Sequence, residues 1–151
     1  MDFGTLKKSI SAVVDNTDSD NDSKLKAICQ LLFDSVPYYN WVGFYFADHQ
    51  TNILHLGPYV GALTDHTLIP FGKGICGQVA VSNKNFVVPD VAAQDNYLTC
   101  STTVKAEIVI PIFVDGINMG QLDIDSHQLN PFTEKDVLFL EFVTQQVAGL
   151  F

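Results

Sequence analysis

Basic residues are scarce in this chain. Only 8 of its 151 residues are Lys or Arg, against 17 Asp or Glu, for a formal net charge of -9. Nucleic acid and anionic membrane surfaces both require basic patches, so neither is expected as a partner. Cysteine is rare too: Cys29, Cys76 and Cys100 are the three present, too few for a disulfide framework. No apolar run reaches the roughly 20 residues that span a bilayer. The N-terminus lacks the cationic start and apolar stretch of a signal peptide. Thiols without an export signal suit a reducing compartment, so a cytoplasmic location is expected. Neither an H-E-x-x-H nor a paired C-x-x-C pattern occurs, so neither a metal nor a cofactor is expected. Repeats and low-complexity tracts are also missing, and the length suits a single domain over 1–151 with a core of its own.

What is present begins with helical periodicity. Residues 3–14 and 23–36 space their apolar side chains at three and four, and the intervening D-N-T-D-S-D-N-D is rich in turn and capping residues. Cys29 falls with Leu25, Ile28 and Leu32 on the second apolar stripe, where a free thiol behaves as a small hydrophobe. Pro37 closes that helix. Residues 40–46 and 53–59 then read as two strands of a hairpin. Trp41, Gly43 and Tyr45 share one face of the first strand. That face is either a pocket wall or core filling. After the loose stretch A-L-T-D-H-T-L-I-P, the glycine-rich F-G-K-G-I-C-G opens a short helix near Cys76. An accessible thiol there would be acidified by the helix end, whereas a buried one would be inert. Residues 86–88 form a short strand, and 92–105 a long polar loop carrying Cys100. Thr133 with Asp136 marks the capping box of a C-terminal helix.

The stretch from Cys100 to Asp125 is the most informative. Two apolar runs flank Asp115-Gly116, a strong hairpin signal. Into these strands are set three carboxylates, Glu107, Asp123 and Asp125. The two aspartates lie two apart and so share a face. A strict two-residue loop would set Glu107 opposite Ile124, on the other face. One residue of offset, from a three-residue loop or a bulge at Pro111, is expected to set Glu107 opposite Asp123. The three carboxylates would then share a pocket with Cys100. The elements together predict an α+β fold, with helices from both ends of the chain against a central antiparallel sheet and a pocket under the loops.

The ordered set N-W-V-G-F-Y (40–45), L-G-P-Y (56–59), I-P-F-G-K-G-I-C-G (69–77), V-P-D-V (88–91), Cys100, E-I-V-I-P (107–111), L-D-I-D-S (122–126) and F-T-E-K-D (132–136) resembles the free methionine-(R)-sulfoxide reductases, which are stand-alone GAF domains. The resemblance implies a GAF fold with helices on one face of the sheet, and a catalytic role for Cys100. It implies an aromatic wall of Trp41 and Tyr45, and substrate-binding carboxylates Glu107, Asp123 and Asp125. It further implies free methionine sulfoxide as substrate, a thioredoxin-like dithiol as reductant, and a tendency to form homodimers. Where the family carries a resolving cysteine after L-G-P-[FY]-x-G, this chain has Ala62-Leu63-Thr64-Asp65-His66-Thr67, one residue longer. Cys76, or a small external thiol, is left to resolve Cys100. The alternative reading is a non-catalytic, ligand-binding or redox-sensing GAF domain.

Overall fold

A computed structural model describes residues 2–98 and 102–151. Helix α1 (Phe3–Asp15) starts where the Asp2 carboxylate accepts the Gly4 N–H, and α2 (Asn21–Ser35) where Asp20 accepts that of Ser23. That second cap draws the helix start two residues ahead of the apolar periodicity. Then come β1 (Trp41–Asp48), β2 (Ile53–Val60), β3 (Leu68–Pro70), α3 (Gly74–Ser82) and β4 (Phe86–Val88). The hairpin β5 (Ala106–Val114) and β6 (Ile117–Ser126) precedes α4 (Glu134–Val147). Strand β3 lies in the stretch read from sequence as loose. At three residues it has no period to detect, and its pairing of Leu54 with Ile69 defines it.

The strands form one antiparallel sheet in the order β3-β2-β1-β6-β5-β4. Alternation along the central strands sorts their side chains into two cores. Val42 and Phe44 of β1, Ile108, Ile110 and Ile112 of β5, and Leu122 and Ile124 of β6 face α1, α2 and α4. Trp41, Tyr45 and Val109 face the other way, against α3 and the loops that follow β2 and β4. The expected two-sided architecture, helices on one face and loops over a pocket on the other, is the observed one. Cys29 is fully buried on the helix side.

The β5–β6 hairpin turns tightly through Asp115 (φ 52°) and Gly116 (φ 78°), both in the left-handed region that such a turn requires. Val114 pairs with Ile117 and Phe113 with Asn118, but Ile112 pairs with Gly120. Met119 is therefore the extra residue of a bulge in β6, braced by Asn118 Oδ1, which accepts the Gly120 N–H at 3.0 Å. The hairpin differs from the register expected from sequence in two respects. The offset arises on β6 at Met119 rather than at Pro111 or in the loop. It also slides the register the other way, so that Glu107 faces Asp125 while Val109 faces Asp123. All three carboxylates nevertheless emerge on the pocket face.

Candidate active site

Trp41 is shaped by two glycines. A Cβ on Gly43 would lie 2.7 Å from the indole Cζ3, and one on Gly61 (φ +136°) 2.6 Å from its Cδ1. With both absent, the indole lies flat, stacks on Tyr59 at 5.2 Å between centroids, and donates from Nε1 to Ala62 O at 3.1 Å. Four residues along, on the same face, the Tyr45 hydroxyl donates to His66 O at 3.0 Å. Both aromatic polar tips thus fasten the loop between β2 and β3. Aromatic walls tied at their polar tips are rigid as well as apolar.

Against this wall lies a cavity of about 170 Å³, whose lining includes Trp41, Tyr45, Leu63, Asp123, Asp125 and His127. A smaller recess of about 20 Å³ adjoins it, sharing Tyr45 and Asp123, and is lined also by Cys76 and Glu107. Glu107, Asp123 and Asp125 are at most 6% exposed. Cys76 Sγ lies 3.7 Å from Glu107 Oε2, to which the thiol donates. The nearest donor atoms of Cys76, Glu107 and Asp123 all lie within 4.8 Å of one another. Asp123 Oδ1 is buried without a hydrogen-bond partner among the described residues.

Proton states follow from burial and crowding. Desolvation pushes the Asp123 carboxyl above the usual range, with contacts to Glu107 and Cys76 opposing that rise. Asp125 is raised well above it, by burial and then by the Asp123 charge. The Cys76 thiol is likewise pushed well up, by burial first and then by the three carboxylates. The helix start does not acidify Cys76: only 5% exposed and facing acids, it belongs to the inert of the two readings.

Of the residues singled out from sequence, Trp41, Tyr45, Cys76, Glu107, Asp123 and Asp125 converge on these joined cavities. Cys100 lies outside the described residues. Leu63, Thr103 and His127 are lining residues that the sequence did not reveal. They sit on connections between strands or directly after one, where neither period nor motif marks a position. His127 Nε2 lies 3.5 Å from Thr103 Oγ1, and the His127 backbone N–H donates to Asn40 Oδ1. The sequence carries no metal motif, yet the fold assembles a thiol and two carboxylates with the spacing of a ligand set.

A GAF domain family model matches residues 22–151. The chain is 36% identical to the free methionine-R-sulfoxide reductase of Neisseria meningitidis, solved in complex with its substrate. That structure superposes with a TM-score of 0.91 over 99% of this chain and 87% of the other. This chain belongs to the GAF domain family, among the free methionine-R-sulfoxide reductases. Protein YtsP of Bacillus subtilis is 38% identical over 139 residues, 92% of this chain and 84% of the relative. The free methionine-R-sulfoxide reductase of Saccharomyces cerevisiae is 39% identical over 104 residues, 68% of this chain and 57% of its own length. The GAF sheet flanked by helices accounts for the order of elements. The family's reductase branch is consistent with the ordered motifs from residue 40 to residue 136.

Proposed function

We propose that this protein reduces free L-methionine (R)-sulfoxide to methionine, in a reducing, cytoplasmic setting. One observation carries the reading: three buried carboxylates gather beside an aromatic wall in a pocket open to solvent. A free amino acid brings an ammonium, which suits Asp123, Asp125 and Glu107, and an S-methyl group, which suits Trp41 and Tyr45. Like charges crowded in an apolar site hold at least one proton near neutral pH, and the raised Asp125 and Asp123 carboxyls suit that role.

In the proposed reaction the Cys100 sulfur attacks the sulfoxide sulfur while a carboxyl protonates the oxygen. The S–S bond forms as the S–O bond breaks and the oxygen leaves as water; a water molecule then attacks the Cys100 sulfur, the S–S bond breaks, methionine leaves, and Cys100 remains as a sulfenic acid. Cys76 or an external thiol then condenses with it, releasing water and forming a disulfide. A dithiol such as thioredoxin reduces that disulfide by exchange. Cys76 is a buried, protonated thiol, so its attack requires the recess to open first. The homodimer implied by the resemblance is part of the same proposal.

A second reading, a GAF domain that binds the amino acid without turning over, is favoured by the Ala62–Thr67 stretch, which holds no cysteine. NADPH consumption with thioredoxin and its reductase, offered the R and S epimers separately, decides between them. Steady consumption with R alone, abolished in Cys100→Ser, is expected. A single stoichiometric release of methionine would leave the first half-reaction standing and remove the resolving step. No methionine from a folded protein would favour the binding module.

A further inference from the structure

The inner recess brings together groups from three elements: Cys76 from the first turn of α3, Glu107 from the start of β5, and Asp123 from β6. Their donor atoms lie within 4.8 Å of one another. A tetrahedral zinc ion, with bonds of about 2.3 Å to sulfur and about 2.0 Å to carboxylate oxygen, sets those atoms about 3.5 Å apart. Cys76 Sγ and Glu107 Oε2 stand at 3.7 Å. A second, independent observation concerns a residue that lines the same recess. Asp123, 5% exposed, has a buried Oδ1 without a hydrogen-bond partner among the described residues.

Ligand type narrows the ion. Magnesium and calcium need six or more oxygens, whereas a thiolate with two carboxylates selects a borderline ion such as zinc. The recess, at about 20 Å³, has room for one small occupant. We propose that the reduced protein binds one zinc ion at Cys76, Glu107 and Asp123, and that this ion competes with the amino acid for the pocket. The metal site rests on the geometry alone, while the competition rests on the function proposed above. Binding displaces protons from its ligands: the Cys76 S–H bond is exchanged for S–Zn, a protonated carboxyl among the ligands exchanges O–H for O–Zn, and the protons pass to solvent, so affinity rises with pH. Asp123 lines both cavities, so the ion's fourth position borders the larger one.

The test uses the full-length reduced chain titrated with zinc chloride against a competing chromophoric chelator, with circular dichroism as a check on folding. A parallel titration with cobalt(II) reads the thiolate-to-metal charge-transfer band in the near ultraviolet. One ion per chain is expected. Cys76→Ala should abolish the cobalt band and weaken zinc binding by at least about tenfold, and Glu107→Gln should weaken zinc binding while keeping the band. Failure to bind one ion, or unchanged affinity in a folded Cys76→Ala chain, would overturn the site. Should Cys76→Ala not fold, unchanged zinc affinity in Glu107→Gln overturns it instead. Excess L-methionine is expected to weaken zinc binding. An affinity indifferent to methionine would count against the shared pocket, and the Cys76 result still decides the metal site.

Discussion

Gly43 and Asp125 face each other's strands across β1 and β6 and fail in opposite ways when changed. In Gly43→Ala the new methyl would meet the Trp41 ring and lie 2.8 Å from Tyr59 Cβ, inside a stack that has no slack. Overpacking of this kind costs about 1–3 kcal/mol. The expected result is a lower melting temperature together with weaker ligand binding, and an unchanged melt would mean that the indole can shift freely. Asp125→Asn should stabilise. The folded chain holds the Asp125 and Asp123 protons above the pH at which the unfolded chain sheds them, about 3.9. Between those limits the folded state binds more protons. Stability therefore falls as pH rises through the window, by up to about 1.4 kcal/mol per unit for each group, and levels off above the raised folded values. Urea unfolding from pH 4 to 8 should show this decline in the parent and a shallower one in Asp125→Asn. A parent stability that rises across that range would exclude protonated carboxyls in the pocket.

Among the elements, α4 is the one whose start is most firmly tied. Asp136 Oδ2 accepts the Thr133 backbone N–H at 2.8 Å and the Thr133 hydroxyl at 3.0 Å, and Oδ1 accepts from the Tyr38 and Tyr39 hydroxyls at 2.8 and 2.7 Å. One buried carboxylate thus joins the helix start to the segment that leads into β1. Thr133→Ala should cost about 1 kcal/mol, as loss of a cap does, whereas Asp136→Ala should cost about 3 kcal/mol because it removes the same cap and strands the buried Tyr39 hydroxyl. Equal losses in chemical denaturation would show that the tyrosines do not depend on Asp136.

This capping box was legible from Thr133 and Asp136 alone, as were both N-terminal helices from their period and both hairpins from their alternation. Each of these signals is local. The register of β5 on β6 was not legible, because one extra residue can be absorbed at several points in a hairpin. Met119 takes it up through the Asn118 side chain rather than through any marked residue. The face of the carboxylates survived that error because parity depends on whether an offset exists, not on where it lies. The fate of the Cys76 thiol was also out of reach. Its helix position argued for acidity, and only the packing of α3 on β5 and β6 brings the carboxylates that reverse it.

At the scale of the whole molecule, the sheet separates a helix-side core from a loop-side core, and each holds a buried cysteine. Cys29 is fully buried among α2 and its neighbours, with its thiol donating to Pro58 O at 3.6 Å, and burial pushes its pKa up. Cys76, on the first turn of α3, is 5% exposed in the other core, at the small recess beside the pocket. Alkylation followed by mass spectrometry should therefore label Cys76 faster than Cys29. The Cys29 rate is expected to track global unfolding in urea, since its thiol sits wholly inside the helix-side core. Equal rates would mean that the two cores open together.

Trp41 is the single tryptophan of the chain, and it forms the wall of the pocket. The near-ultraviolet-excited emission of the entire protein above the tyrosine background is consequently the emission of one side chain in one place. Entry of an amino acid, arrival of a metal ion or rearrangement of the Gly61–Thr64 rim all alter the surroundings of that indole. The molecule carries an intrinsic optical reporter, and every equilibrium at its pocket can be followed without a label.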